Sequence, residues 1–265
     1  MPSPTEITVA QLSRLVGTPA SPAIIDVRID EDFASEPNLI PSAYRCDYRH
    51  IAELVPQLHD QKVVLYCQQG KKISQGAMAI LRHHGIDAET LAGGHFAWRD
   101  SGQLLIPFKQ LPPHPAGHTI WVTRHRPKID RMACPWLIRR FIDPRAQFLF
   151  VAPDQVLAVA EKFEATPFDM EGVFWSHRGE NCTFDTLLDE FQLNTKALYH
   201  LARIVRGADT NRHDLAPEAA GLLAASLGLS RMFRDDLKQV DAGMLLYDAL
   251  YRWARDATEE THDWP

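Results

Sequence analysis

The stretch Val63-Val64-Leu65-Tyr66-Cys67-Gln68-Gln69-Gly70-Lys71-Lys72 constrains this chain more than any other. Its apolar run reads as a buried strand, and Lys72 through His84, with Ala77, Ile80 and Leu81 on one face, reads as the following helix. A cysteine is thereby delivered to a strand end that faces a helix N-terminus. If the loop curls around the sulfur, backbone N–H groups from Gln68 onward add to the positive end of the helix dipole, and both effects lower the thiol pKa. Gly70 lets the backbone pass close to the sulfur, while Lys71 and Lys72 draw in an anionic substrate. Such a thiolate needs no metal. The bland alternative is a buried structural cysteine beside an ordinary solvated turn.

Upstream, Ala23-Ile24-Ile25-Asp26-Val27-Arg28 reads as a second buried strand, followed by an acidic helix start at Asp30-Glu31-Asp32-Phe33 and by Ile40-Pro41-Ser42-Ala43; downstream lies Leu91-Ala92-Gly93-Gly94-His95-Phe96-Ala97-Trp98. In this order the segments from about Thr5 to Leu105 resemble the rhodanese family of single-domain sulfurtransferases. The resemblance implies a parallel five-stranded α/β domain in which Cys67 attacks a sulfane sulfur and carries it as a persulfide. It also implies that Gln68, Gln69, Gly70, Lys71 and Lys72 form the loop holding the terminal sulfur and the donor. Three positions depart from the family pattern. Lys72 stands where arginine is common, which keeps charge but loses bidentate recognition. Ile73 stands where serine is common, so one hydroxyl contact is expected to be absent, and Glu36-Pro37-Asn38-Leu39 lacks the usual Gly-His. Related folds that bind phosphate or arsenate close a loop one residue longer with arginine; Ile73 occupies that position here, without the oxyanion clamp.

The chain has 265 residues, 45% of them hydrophobic, enough for two domains with separate cores. The net charge of −6 is shared: residues 1–117 hold 10 Lys/Arg against 12 Asp/Glu, and residues 118–265 hold 18 against 22. Neither part is a polycation, which argues against a nucleic-acid partner. Cys46, Cys67, Cys134 and Cys182 are widely spaced, with no Cys-x-x-Cys pair, against both a disulfide scaffold and a four-thiolate zinc site. Reduced thiols, a start at Met1-Pro2-Ser3-Pro4-Thr5-Glu6 without an export signal, and no apolar run of membrane-spanning length predict a cytoplasmic protein. The expected partners are a small-molecule sulfur donor and a thiol acceptor, with no cofactor for the sulfur transfer itself.

Residues 106–117, with Pro107, Pro112, Pro113 and Pro115, read as a linker between a domain at 5–105 and another at 118–256. The second part begins with a strand at His118–Arg124, a helix at Ile129–Ile142, a strand at Phe148–Val151 and a helix at Pro153–Phe163. A short element at Thr166–Asp169 precedes helices at Thr183–Phe191, Lys196–Arg206 with Gly207 as a stop, Pro217–Leu227 and Leu237–Arg255. The expected class is α+β, mostly helical. The strings Thr123-Arg124-His125-Arg126-Pro127-Lys128-Ile129-Asp130-Arg131, Ala133-Cys134-Pro135-Trp136-Leu137-Ile138-Arg139-Arg140, Ser176-His177-Arg178-Gly179-Glu180-Asn181-Cys182 and Val205-Arg206-Gly207-Ala208-Asp209 resemble the C-terminal domain of the ChrB-type chromate-resistance family. The resemblance implies a role in resistance or response to chromate.

From Arg124 to Arg145 seven basic residues face two acids, which makes Arg124, Arg126 and Arg131 candidates for binding a small oxyanion or a phosphate backbone. The bland reading pairs this face with the acid-rich C-terminal helices. Asp169, His177 and Cys182, with Cys134 and Asp209 elsewhere, are candidates for a mixed metal site, although their spacing matches no standard zinc motif. Asp248 interrupts an apolar stripe of Met244, Tyr247 and Tyr251, and Arg206 is its expected partner. Three functions follow: a sulfurtransferase acting through Cys67 and linked to chromate resistance, a chromate-responsive regulator with a non-catalytic first domain, and a metal-dependent activity in the second.

Overall fold

The computed structural model describes residues 5–113, 115 and 117–260. The beginning of the chain through Pro4, and His114 and Ala116 within the proposed linker, lie outside the described residues. The chain divides into two units, Met1–Leu111 with Arg140–Pro144, and Pro112–Arg139 with Arg145–Pro265.

The first unit runs β1 (Glu6–Ile7), α1 (Val9–Leu15), β2 (Ala23–Asp26), α2 (Asp30–Ser35), β3 (Asn38–Leu39), β4 (Ala43–Arg45), α3 (Val55–Leu58), β5 (Val63–Tyr66), α4 (Lys72–His83), β6 (Ala88–Leu91), α5 (Gly94–Asp100) and β7 (Ile106–Pro107). Five strands form one parallel sheet in the order β1-β6-β5-β2-β4. The parallel α/β architecture expected from the sequence is therefore present. Strand β5 is buried throughout, and β2 is apolar up to Asp26, because helices cover both faces of such a sheet. The two-residue period of β5 puts Val63 and Leu65 on the face packed against α4, in one cluster with Ala77 and Leu81, and continues to Cys67. On α4 the buried residues are Ser74, Ala77 and Leu81, whereas Ile80, expected on that face, is exposed. Ile106–Pro107 pairs with β3 in a separate two-stranded antiparallel ribbon, an edge position where proline is tolerated.

At the end of β2, Asp26 and Arg28 form a fully buried ion pair. Arg28 Nε donates to both Asp26 oxygens at 3.0 and 2.9 Å, and its remaining nitrogens donate to the Glu36 and Asn38 carbonyls at 3.0 and 2.6 Å. Asp-Val-Arg thus ties the connection after α2 to the sheet, through a charge that burial would otherwise make costly.

The second unit runs β8 (Ile120–Arg124), α6 (Asp130–Leu137), β9 (Gln147–Val151), α7 (Val156–Lys162), β10 (Thr166–Pro167), α8 (Thr183–Glu190), α9 (Lys196–Asp209), α10 (Ala219–Met232) and α11 (Asp236–Asp256). A parallel three-stranded sheet, β10-β8-β9, is covered on one face by α7 through Val122, Val156 and Ala165. The remaining helices make this unit mostly helical, with α9 packed against α8, α10 and α11. Trp136, fully buried on α6, meets Phe184, Tyr247 and Tyr251 at ring-centroid distances of 6.3, 6.2 and 5.6 Å.

Three sequence expectations change here. Ile129–Ile142 is not one helix: α6 ends at Leu137 and a π-helical turn covers Ile138–Ile142. Pro135 inside α6 has no N–H for the Arg131 carbonyl, so the hydrogen-bond ladder is interrupted before it changes register. Gly207 does not stop α9, which continues to Asp209; the glycine is there because a Cβ would lie 3.0 Å from both Ala219 Cβ and the Arg212 carbonyl. Asp248 accepts from the Trp136 indole at 2.8 Å, while Arg206 turns to Asn181 and Asp185 at 2.7 and 3.2 Å. An indole N–H is matched by a carboxylate because both are carried into the same core.

Removing the cation from the buried pair leaves Asp26 uncompensated. Arg28→Met is expected to lower stability by about 3–5 kcal/mol, measured by urea unfolding; Asp26→Asn combined with Arg28→Met should recover part of that loss.

Candidate functional site

The loop after β5 closes around Cys67. The Lys71 N–H donates to Cys67 Sγ at 3.3 Å, and the Ser74 hydroxyl lies 3.3 Å from the same sulfur and 3.2 Å from the Lys71 carbonyl, with one proton to give to either. Burial pushes the thiol up. The Ser74 hydroxyl and the backbone N–H groups of Ser74, Lys71 and Gln69 outweigh it, leaving Cys67 below the ordinary thiol range. The hydroxyl expected to be missing at Ile73 is therefore supplied one residue later. Sequence reasoning missed Ser74; its signal was a serine in the first turn of the helix that follows the cysteine loop.

Two glycines, one in the loop and one at the start of α5, hold the loop down. Gly94, at φ +60°, lies so close that a Cβ there would sit 2.2 Å from the Cys67 carbonyl oxygen and 2.3 Å from the Gly70 nitrogen. Gly70, at φ +67°, would likewise drive a Cβ to 2.6 Å from the Leu91 carbonyl. At the start of α5, the His95 and Phe96 N–H groups donate to the Cys67 and Gln68 carbonyls at 2.9 and 3.1 Å. The loop's carbonyls are thus turned outward onto α5 and its N–H groups toward the sulfur. Gln68 is half-buried, Gln69 is exposed, and Lys71 and Lys72 are exposed at the opening of α4.

A second arrangement lies within the other unit. The start of α6 places the fully buried Asp130 against the start of α8, where it accepts from the Thr183 and Phe184 N–H groups at 2.6 and 3.1 Å. His177 Nε2 lies 3.4 Å from Asp130 Oδ2, 3.4 Å from Asp169 Oδ1 and 3.3 Å from Asp209 Oδ2. Asp169 accepts from the Thr183 hydroxyl at 2.9 Å and pairs with Arg124 and Arg131, each at 3.2 Å. Ile129 and Asp169 both have positive φ, +36° and +52°. For the β-branched Ile129 this is a strained conformation, held by Ser226 Oγ on its N–H at 2.9 Å and by the Tyr247 hydroxyl on its carbonyl at 2.8 Å. The three carboxylates gathered around Nε2 push His177 up to about 12. Burial raises Asp130 to about 6 against the pull of His177, with Asp209 and Asp169 adding to the rise.

The structure brings Asp169 and His177 together, as the sequence suggested, but surrounds them with Asp130 and Asp209. Cys182 is fully buried at the N-cap of α8, where its N–H donates to Asp185 at 3.0 Å, and burial pushes its thiol well up. Its sulfur is not in the group of ligand atoms lying within 4.8 Å of one another, which comprises Asp130, His177 and Asp209. Among the three candidate arginines, Arg124 and Arg131 converge on Asp169. Arg126 instead turns to the end of α10, donating to the Phe233 carbonyl at 2.8 Å and to Ser230. Arg139 pairs with Asp241 of α11 at 2.9 Å, as the bland reading of the basic stretch expects.

Comparison with known proteins now decides the family. The ChrB C-terminal domain family matches residues 121–254, about half of the chain. The chain belongs to this family. The rhodanese-like domain family matches residues 8–101 ahead of it. Protein ChrB of Cupriavidus metallidurans is 32% identical over 205 residues, covering 66% of this chain and 60% of that protein. Among solved structures, a rhodanese-like domain protein from Staphylococcus aureus is 27% identical over 36% of this chain and 90% of its own, with a TM-score of 0.32. A rhodanese-related protein from Thermoplasma volcanium is 20% identical over 38% of this chain and 96% of its own, with a TM-score of 0.33. No helix among the described residues is long and apolar enough to cross a membrane.

Ser74→Ala removes a donor to the thiolate. Its alkylation by iodoacetamide at pH 7 should slow by about tenfold, the worth of one hydrogen bond to a charged group, and the pH midpoint of the reaction should move upward.

Proposed function

We propose that the rhodanese-like domain is a sulfurtransferase carrying sulfane sulfur as a persulfide on Cys67, in a chain linked to chromate resistance by the family of its second domain. The Cys67 thiolate attacks the outer sulfur of a donor such as thiosulfate; the sulfur–sulfur bond breaks and sulfite leaves with its electron pair. An acceptor thiolate, or cyanide in an assay, then takes the terminal sulfur and returns the Cys67 thiolate. No cofactor enters either step.

The observation carrying this reading is the ring of donors around one sulfur: Lys71 N–H at 3.3 Å and the Ser74 hydroxyl at 3.3 Å, at the opening of α4. Those donors stabilise the attacking thiolate, and the same backbone can hold the negative terminal sulfur of the persulfide. Gln68, Gln69 and Gly70 supply the remainder of the cradle. Lys71 and Lys72 attract an anionic donor without the bidentate grip of arginine, which favours small sulfur anions over phosphate esters.

We favour this over a chromate-responsive regulator with a non-catalytic first domain. The basic stretch that would serve nucleic acid is engaged in ion pairs and caps at Arg124, Arg126, Arg131 and Arg139. Cys67, Cys134 and Cys182 are buried as thiols outside any disulfide, in keeping with a reducing, cytoplasmic setting.

Incubation with thiosulfate is expected to add one sulfur to the intact mass of the parent and none to Cys67→Ser, with thiocyanate released on adding cyanide. Because only the thiolate attacks, the rate of sulfur uptake should fall as pH drops through the lowered Cys67 pKa and stay level above it. An unmodified parent with both thiosulfate and a low-molecular-weight persulfide would refute the proposal.

A further inference from the structure

We propose that the second unit holds a divalent transition-metal cation on Asp130, His177 and Asp209. The three residues come from separate segments: the first residue of α6, the loop before α8, and the last residue of α9. Their ligand atoms all lie within 4.8 Å of one another. His177 Nε2 stands 3.4 Å from Asp130 Oδ2 and 3.3 Å from Asp209 Oδ2.

Those separations do not suit a hydrogen-bonded ion pair. Charge-assisted hydrogen bonds run at about 2.7–2.9 Å, and one Nε2–H points at one acceptor, yet three carboxylate oxygens stand at nearly equal, longer distances. They do suit ligands sharing a cation. Nitrogen and oxygen ligands bound at about 2.0–2.2 Å lie roughly 3.0–3.5 Å from their neighbours in octahedral or tetrahedral arrangements. The cation would replace the proton that the carboxylates otherwise keep on His177.

The surroundings are those of a supported centre. Asp130 is oriented by two backbone N–H groups at the start of α8. Asp169, whose Oδ1 lies 3.4 Å from the same Nε2 but outside that group of ligand atoms, is fixed by Thr183, Arg124 and Arg131 and serves as a positioning residue. Carboxylate and imidazole together suit manganese, iron or zinc in the divalent state, in preference to soft thiolate-seeking ions. Three protein ligands leave coordination positions free. His177 and Asp169 line a cleft of about 360 Å³ together with Arg124, so the added ligand at a free position is an anionic oxygen donor or water. This inference uses nothing of the Cys67 site, and loss of sulfur transfer would leave it standing.

The test uses the full chain, stripped with chelator and desalted, then titrated with manganese chloride while the free-ion electron paramagnetic resonance signal is followed. One equivalent should bind, zinc sulfate should compete, and pulsed measurements should show modulation from a ligating imidazole nitrogen. His177→Gln and Asp209→Asn should each weaken binding at least about tenfold, while Cys182→Ser retains it. No stoichiometric binding of manganese or zinc by the parent chain at millimolar metal would overturn the proposal, as would undiminished affinity in a folded His177→Gln variant. If both ligand variants fail to fold, the nitrogen modulation in the parent decides: its presence supports the site, and its absence overturns it.

Discussion

An acceptor held by the backbone donors at the start of a helix organises both halves of this chain. At the opening of α4 that acceptor is the Cys67 sulfur, met by Lys71 N–H at 3.3 Å. At the opening of α8 it is the Asp130 carboxylate, met by the Thr183 and Phe184 N–H groups at 2.6 and 3.1 Å. The first turn of a helix has donors without intrahelical partners, and an anion placed there both satisfies them and is stabilised by the helix dipole. Elsewhere in each unit, packing keeps that meeting in place.

In the rhodanese-like domain the packing is done by glycine. Gly94 and Gly70 let two backbone segments approach until no Cβ fits between them, and the N–H groups of α5 take up the loop carbonyls. With its carbonyls engaged, the loop has donors to spare for the sulfur. The buried Asp26–Arg28 pair plays a separate part, anchoring the connection after α2 through the Glu36 and Asn38 carbonyls. The first arrangement turns donors toward the Cys67 sulfur; the second ties the connection after α2 to the sheet.

In the ChrB domain the same principle leads to a different chemistry. Asp130, Asp169 and Asp209 are gathered around one imidazole, with Arg124 and Arg131 balancing Asp169. The strained backbone at Ile129 is the conformational cost of aiming Asp130 at α8, and Ser226 and Tyr247 hold that conformation from two other helices. Such convergence of like charges is expensive without a proton or a cation among them, which makes this cluster chemically the most demanding feature of the unit.

The sequence by itself determined the strand–loop–helix that carries Cys67, because an uninterrupted apolar run, a glycine-bearing loop and a helical period are all local signals. It also determined the two-part organisation and the mostly helical character of the second part, since Thr183–Phe191, Lys196–Arg206, Pro217–Leu227 and Leu237–Arg255 each read as a helix. Only the tertiary structure decided which side chains meet. Ser74 completes the Cys67 site by facing inward one residue after Ile73, while Asp130, which in sequence is one acid within a basic stretch, becomes the buried centre of the second site. Asp248 goes to Trp136 and not to Arg206, and Arg126 to the end of α10 and not to an anion. Partners of buried polar groups are set by which helices pack together, and residues separated by 32, 47 or 112 positions carry no local mark of that pairing.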